Sequence, residues 1–491
     1  MSFRIHPQNP KVFEFRGEPM VLITATEHYG AVLNRRFCFE RYLADAGEKR
    51  QTLTRLFTLF RELQAAANPY STCKPETPDF VAPFKRVGPE KALDILPKFD
   101  LSQPNPEFFE RLHRFLSVAG DHGIVVEVVL FSNTYAESVW ALNPLNPRNN
   151  INGLEEFPWP EYMSLRHPSL FEWQKAHVRR IVEETNKYDN IFYEICNEPG
   201  GDVPSAATNP STAEVDAWQT AIAKVIRETE AKLPGKHLIA GQEASTWNTS
   251  APATQKTVAA FKGFPVDIVN VHPLPKTEYG GNIYDMGDFM AGQLKLTALR
   301  DFALDSYDER KPLNYDEDNA ATQYKEPAGW TIHRKRAWTT LFSGAHYDMI
   351  DFSIWPYLET GTPDSQKYLR SWMKNLSEFI HSVDLATARP LRGWLQAKPE
   401  PIVESVFAVS EEDYCIYLAD GREGDEPGAG EVISGRLRFD LPDGQFEIAC
   451  FSPETGRYSP WIDLRGGTGR SFAVPDFHHD LVVRIRRRRL V

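Results

Sequence analysis

Ile191-Phe192-Tyr193-Glu194-Ile195-Cys196-Asn197-Glu198-Pro199 is a run of β-branched and aromatic residues that ends abruptly in an amide, a carboxylate and a proline. Apolar on both faces, it reads as a buried strand of a parallel sheet. Strand side chains alternate, so Glu194, Cys196 and Glu198 are expected on one face and Tyr193, Ile195 and Asn197 on the other. Pro199 cannot continue the ladder. The strand therefore stops with Glu198 at its C-terminal lip, where parallel barrels assemble their active sites.

Outward from this strand the chain alternates strands and helices. Residues 11–26 read as a hairpin entering a first barrel strand near 20–23, which leads to the polar, aromatic end Thr26-Glu27-His28-Tyr29-Gly30. Leu53, Leu56, Phe57, Phe60 and Leu63 fall at helical spacing and predict the first helix. That places the second strand near residues 67–73, with a long loop running through Phe99. A helix over 106–120 feeds a strand over 123–131, followed by Asn133 and Tyr135, and a helix over 170–188 leads into the strand quoted above. Later units are a helix over 213–232, a strand over 237–241 ending at Gln242 and Glu243, and a strand over 266–271 ending at His272. Next come a helix over 289–305, the strand Lys311-Pro312-Leu313-Asn314-Tyr315-Asp316-Glu317-Asp318-Asn319, a helix over 329–343, a strand over 348–354 ending at Trp355, and a helix over 365–383.

Eight such units make an α/β fold, a (β/α)8 TIM barrel over 1–388 with an N-terminal hairpin. Beyond Ala388-Arg389-Pro390 the pattern becomes short alternating strands separated by glycine-rich turns, which predicts a β-sandwich accessory domain over 389–491.

A net charge of −12 and a pI near 5.6 argue against nucleic acid or an anionic membrane as partner. No apolar run is long enough to span a bilayer. The first eight residues lack a charged head before an apolar core, and the five scattered cysteines form no Cys-x-x-Cys pair. The expectation is a cytoplasmic protein with reduced thiols and no zinc site of the usual spacing. Arg486 to Arg489 are expected to be a solvated tail. Oligomeric state is left open.

The ending Asn197-Glu198-Pro199, its apolar strand and the later carboxylate strand resemble the clan A glycoside hydrolases, the (β/α)8 group that includes the family 5 cellulases and mannanases. In that clan the acid/base ends strand four and the nucleophile ends strand seven, so the resemblance implies Glu198 as acid/base and Glu317 as nucleophile. The intervening stretch of about 120 residues suits three βα units. The resemblance further implies a carbohydrate substrate, no cofactor and a retaining mechanism, with the two carboxyls roughly 5 Å apart. At that distance an ionised Glu317 is expected to raise the pKa of Glu198 and keep it protonated.

By the same resemblance Asn197 donates to the sugar 2-hydroxyl, while His272 and Trp355 match a histidine beside the nucleophile and an aromatic floor under the sugar. His28, Tyr29, Asn133 and Glu243 are further strand-end residues able to contact substrate. The clan often places an arginine near the end of strand two. None stands at the expected position here, and Lys74 is the nearest substitute. Asp316, Glu317 and Asp318 form an acidic triplet, but adjacent strand residues face opposite ways and do not converge on one ion, so no metal is assigned.

Glu194 and Glu127 are expected deep in the barrel with polar partners, and Cys196 in the core. Trp140, Trp159, Trp247, Tyr279, Tyr284 and Trp330 fall in predicted loops near the catalytic face. Two other readings remain open: a catalytically silent carbohydrate-binding barrel, and a metal-dependent hydrolase or lyase on the same fold.

Overall fold

The strand-forming residues assemble as the alternation demands. In a computed structural model, which describes residues 3–59, 72–201, 209–246, 254–286, 295–319, 327–424 and 426–488, eight parallel strands form one sheet. They are β1 (Ile23–Thr26), β2 (Leu53–Phe57), β3 (Val125–Ser132), β4 (Ile191–Asn197), β5 (Ile239–Gly241), β6 (Ile268–Val271), β7 (Leu313–Tyr315) and β8 (His346–Ile350). Their spatial order, 1-8-7-6-5-4-3-2, is that of a (β/α)8 barrel. Between β1 and β2 the seam is held by Thr52, whose backbone N–H donates to the Ile23 carbonyl at 3.0 Å and whose hydroxyl oxygen accepts from the Ile23 N–H at 2.9 Å. Every residue of β3 and β4 is buried, as expected of strands covered on both faces.

Helices α1 (Phe39–Glu48), α2 (Pro106–Asp121), α3 (Pro168–Thr185), α4 (Thr212–Glu230), α5 (Val258–Lys262), α6 (Leu296–Asp305), α7 (Ala328–Phe342) and α8 (Leu369–Ile380) connect the strands. Their starts follow from local chemistry. Asn105 caps α2 with Pro106 at the first turn, and Ser211 with Glu214 forms a capping box on α4.

The first third of the chain departs from the sequence expectation. Leu53 to Phe57 is the second strand, not the first helix, which lies earlier as α1. Residues 60–71, which include Phe60, Leu63 and most of the expected second strand, lie outside the described residues. The run Leu53-Thr54-Arg55-Leu56-Phe57 fits a helical spacing of apolar residues as well as it fits a strand. What decides is the polar interior of this barrel, which accepts Arg55 where an ordinary strand would place an aliphatic. The supposed loop before Phe99 contains a hairpin of Phe84–Lys91 with Pro97–Pro104. The first strand begins at Ile23, and the hairpin before it pairs Phe13–Phe15 with Glu18–Met20.

From Arg389 the chain forms an antiparallel sheet: β9 (Arg389–Pro390), β10 (Ile402–Val409), β11 (Asp413–Asp420), β12 (Ile433–Ser452), β13 (Arg457–Tyr458), β14 (Ile462–Phe477) and β15 (Asp480–Arg487). In place of the short strands expected there, Ile433–Ser452 is one long strand with several register shifts. These bulges bend β12 and β14 over β10 and β11, closing a sandwich core that includes Val406, Ile416, Phe439, Phe446 and Val483. Arg486 and Arg487 belong to β15 and are half-buried, so these two are not a solvated tail; Arg488 follows the strand exposed, pairing with Asp463 at the surface, and Arg489 lies outside the described residues.

The other face of the sheet joins the barrel core through Phe407, Tyr417, Phe451 and Val482. Helix α7 lies at this junction and is buried along almost its whole length. Trp338 stacks on Tyr417 at 5.5 Å between ring centres. Arg334 forms a two-pronged pair with Asp480 at 2.7 and 3.0 Å, and Lys335 reaches Glu423 at 2.7 Å. A cleft of about 580 Å³ opens between α6 and the start of the sheet, lined by residues that include Tyr284, Arg300, Asp305, Arg392, Trp394 and Glu404. No residue lining it belongs to the strand-end cluster described next.

Candidate active site

The C-terminal ends of β1 to β4, β6 and β7 converge on one cluster. Arg55, wholly buried in β2, is its centre. Its guanidinium donates to Glu317 Oε2 at 2.8 Å, to Glu194 Oε2 at 2.5 Å, to Asn197 Oδ1 at 3.0 Å and to the Tyr29 hydroxyl at 2.7 Å. It also lies 3.1 Å from Asp316 Oδ2 and 3.5 Å from Glu127 Oε2. The planar fork suits this task, since five fixed N–H groups can serve several carboxylates at once. Tyr29 in turn donates to Glu317 Oε2, and Asn319 Nδ2 donates to Glu317 Oε1 at 3.2 Å.

Glu198 is held from two sides. The Tyr135 hydroxyl donates to its Oε2 at 2.6 Å, and His272 Nδ1 lies 3.0 Å from its Oε1. His272 Nε2 is 3.4 Å from Asp316 Oδ2. One carboxylate oxygen each of Glu198 and Glu317 and one ring nitrogen of His272 lie within 4.8 Å of one another.

Four of the residues around these carboxylates have left-handed backbones despite carrying side chains: Tyr29 (φ 55°), Tyr135 (φ 59°), Glu198 (φ 47°) and Glu317 (φ 63°). Such conformations are costly for bulky residues and cluster where the surrounding structure enforces them. Here they break the two-residue alternation. Asn197 and Glu198, expected on opposite faces, both reach the mouth, as do Asp316 and Glu317. Only Asp318 turns away, to Arg336 at 2.5 and 3.0 Å and to the Tyr347 hydroxyl at 2.9 Å.

The electrostatics follow from one arginine and one histidine among many carboxyls. Burial alone would strip the proton from His272, but the charges of Glu317, Asp316 and Glu198 hold it on, so its pKa lies well above the ordinary histidine value. Burial likewise pushes Glu198 up, but its contacts with His272, then Tyr135 and Arg55, outweigh this and leave it below the usual carboxylate value. Glu317 is raised, by burial first, with His272 and Arg55 opposing and Glu198 adding to the rise. In the substrate-free molecule the order of the pair is therefore the reverse of the sequence expectation, because His272 is an imidazolium beside Glu198. Deeper down, burial pushes Glu194 up to about 7 and Glu127 well above the usual range.

Of the sequence-assigned residues, Glu198, Glu317, Asn197, His272 and Tyr29 are thus brought together. Asn133 accepts the Tyr135 N–H at 3.2 Å and its own N–H donates to the Asn197 carbonyl at 3.0 Å, so it shapes the turn beside the site. His28 packs edge-on against Tyr29 and Phe352. Trp355 sits about half exposed in a turn after β8 with Tyr357 and Leu358, outside the hydrogen-bonded cluster. Glu243 is buried near Asp216 and the start of α5, where burial first and Asp216 second push it up to about 8. Lys74 contributes its carbonyl to Asn34 rather than a charge to the site.

Sequence reasoning misses Arg55 because its strand also fits a helical period, and misses Tyr135 because its lip position gives no sign of a left-handed turn; Asp316 is read there only as part of an acidic triplet. Glu194 and Glu127 have the polar partners expected of them, Arg55 and Asn270, and Cys196 lies in the core. Trp140, Tyr279 and Trp330 are buried packing residues, Trp159 and Tyr284 are partly buried against the barrel core, and Trp247 lies outside the described residues. Besides the trio around His272, Glu127, Glu194 and Asp316 are also close enough to share an ion, but there the Arg55 guanidinium already supplies the positive charge.

A family model described as a domain of unknown function (DUF6298) matches residues 74–198, a stretch that ends on the carboxylate of β4. No curated protein matches the sequence. Among solved structures, one described as a glycoside hydrolase is 11% identical, with a TM-score of 0.63 over 99% of this chain and 97% of its own. A glycoside hydrolase family 5 from Bacteroides vulgatus ATCC 8482 is 10% identical, with a TM-score of 0.63 over 99% and 92%. The endo-1,4-beta-mannanase from Rhizomucor miehei is 11% identical, with a TM-score of 0.50 over 77% of this chain and 100% of its own. The likeness is one of fold: the chain shares with these hydrolases the eight-stranded parallel barrel, and with the first two it extends over the following all-β region.

Proposed function

We propose that this protein is a glycoside hydrolase that cleaves O-glycosidic bonds with retention of configuration, Glu317 acting as nucleophile and Glu198 as acid/base. The observation that carries this reading is the approach of the two carboxylates to within 4.8 Å, oxygen to oxygen, at the ends of β4 and β7. That separation suits direct attack and leaves little room for the water an inverting enzyme must place between sugar and base. The shared fold with known hydrolases supports it.

In the first step Glu317 attacks the anomeric carbon while Glu198 protonates the departing oxygen. Arg55 and Tyr29 both serve Glu317 Oε2, whereas Oε1 accepts from the neutral Asn319 amide at 3.2 Å; we take Oε1, the oxygen without the cation, as the one that makes the bond. In the second step Glu198, now a carboxylate, takes a proton from the water that releases the sugar. The carboxyl pair needs one proton between them, and their titrations belong to the pair. In the free protein the proton favours Glu317. A bound glycoside reverses this, because the positive charge growing at the anomeric carbon favours ionised Glu317 and the leaving oxygen calls for the proton on Glu198. We assign Asn197, anchored through Oδ1 by Arg55, to donate from Nδ2 to the sugar hydroxyl next to the reacting carbon, in exchange for its bond to Tyr135 or Ser132.

We take residues 1–388 as the catalytic barrel and 389–491 as an accessory sandwich that packs against it through the sheet face opposite its own core. No helix among the described residues is long and apolar enough to cross a membrane, and the five free cysteines support a reducing, cytoplasmic setting. The test is a panel of aryl glycosides and oligosaccharides, with the anomer of the first-formed product read by NMR. The panel includes β-1,4-linked mannosides, a choice suggested by the similar fold of the endo-1,4-beta-mannanase. Hydrolysis with retention is expected. Inversion, or binding without turnover, would overturn the reading.

A further inference from the structure

Tyr135 lies three residues beyond β3 on a left-handed backbone (φ 59°) that an aromatic residue adopts only under constraint. The constraint is visible. Its N–H is held by Asn133 Oδ1 at 3.2 Å, and Asn133 is itself tied to the end of β4 through the Asn197 carbonyl. The result aims the hydroxyl between two neighbours: it donates to Glu198 Oε2 at 2.6 Å and accepts from Asn197 Nδ2 at 3.1 Å. The residue is about 36% exposed, so burial of the ring does not by itself explain the strained geometry.

We propose that Tyr135 is a positioning residue for Glu198, fixing the carboxylate from the side opposite His272 and aligning Asn197 with it. The proposal rests on the hydrolase reading for its purpose but not for its test. Two donors, one on each oxygen, leave Glu198 a single orientation. They differ in kind, however. The His272 imidazolium also serves Asp316 and can only donate, whereas a phenol can donate to an ionised carboxylate or turn and accept from a protonated one. Tyr135 is therefore the partner that can follow Glu198 through both protonation states without either side chain moving. The charged and titratable groups facing Glu198 are His272 from the end of β6, Arg55 from β2, Glu317 from the end of β7, Cys196 from β4 and Tyr135 itself.

The test reads Glu198 directly in the full-length, substrate-free protein. Protein labelled with [δ-13C]glutamate is titrated by NMR, and the Glu198 carboxyl is assigned by its loss in Glu198→Gln. Removing a donor to the charged form raises a carboxyl pKa, and one hydrogen bond to a charged acceptor corresponds to a shift of about one unit. Tyr135→Phe is expected to raise the Glu198 midpoint by about one pH unit. Asn133→Ala, which frees the turn but keeps the phenol, should shift it in the same direction by less. Because the proton of the free pair favours Glu317, on a substrate with a poor leaving group the acid limb of kcat/KM in Tyr135→Phe should move upward by about the same amount while the alkaline limb stays. A Glu198 midpoint unchanged in both folded variants overturns the proposal. Absence of hydrolysis in the wild type, with the midpoint shifted as expected, overturns the hydrolase reading instead.

Discussion

Arg55 and Glu194, both without solvent contact, are joined across adjacent layers of the barrel at 2.5 Å. This pair anchors the polar interior on which Glu317 and Asn197 rest. Arg55→Met would leave Glu194, Asp316 and Glu317 facing one another without their cation. Removing one partner of a buried ion pair typically costs about 3–5 kcal/mol, so the urea midpoint of the variant should fall by that equivalent. Arg55→Lys should recover part of the stability but not the four-way hydrogen bonding, and its turnover should stay well below wild type. Wild-type stability in Arg55→Met would show that the guanidinium is not what balances the layer.

Exchanging each carboxylate separates the two roles. On the proposed roles Glu317→Gln should abolish turnover of every substrate, since the glycosyl-enzyme would form on that carboxylate. Glu198→Gln should lose most on poor leaving groups and least on nitrophenolates, which depart without a proton. Its second step should still be slow, so an initial burst on activated substrates followed by rescue with added azide is expected. Equal losses on good and poor leaving groups, with neither burst nor rescue, would reverse the assignment.

Glu243 provides a pH test of stability. Its folded pKa of about 8 lies above the unfolded carboxyl value, so native protein holds this proton longer than unfolded protein does. Its contribution is fully present below about pH 4.5, is lost as pH rises toward 8, and changes no further above that. Glu243→Gln removes the effect. Relative to wild type the variant should gain stability from pH 5 to pH 8, on the order of 2 kcal/mol, in urea titrations at the two values. Parallel behaviour at both would mean Glu243 is ionised in the native state.

The cysteines differ in reach. Cys73, Cys196, Cys415 and Cys450 are buried and Cys38 is partly exposed. Burial pushes the Cys450 thiol up to about 11 and raises the thiols of Cys73 and Cys196 well above their usual value. A thiol reagent should titrate one group rapidly in native protein and five after denaturation without reductant. A total below five would reveal a disulfide.

The barrel was legible because seven of its strands announce themselves by apolar runs that end in polar residues, and Glu198 and Glu317 stand at two of those ends. What lay hidden has a common cause. Arg55 occupies an inward strand position that pattern reading reserves for aliphatics, and its neighbours Leu53, Leu56 and Phe57 satisfy a helical period equally well. Likewise Tyr135 and Glu317 join the site on left-handed backbones that rotate the chain at the strand ends. Nothing in Glu198, Glu317 or Tyr135 as residue types signals a positive φ, since glycine or asparagine would ordinarily mark such turns. Glu243, chosen for its strand-end position, and Trp355, chosen also for its match to the clan's aromatic floor, lie outside the hydrogen-bonded cluster: position in the sequence sets the height along the barrel but not the direction of the side chain.

The pairing of Arg334 with Asp480 also sets an order of assembly. The two residues are 146 positions apart in the chain. At ordinary rates of synthesis, roughly 7 to 30 seconds pass between the emergence of one and of the other. During that interval α7 has its barrel side available but no counter-charge for Arg334. The same helix carries Arg336, which holds Asp318 next to Glu317. The eight-stranded part of a nascent chain can therefore gather its strands, and pair Arg336 with Asp318, while Arg334 still lacks its partner, so this buried charge is neutralised only when β15 docks against α7.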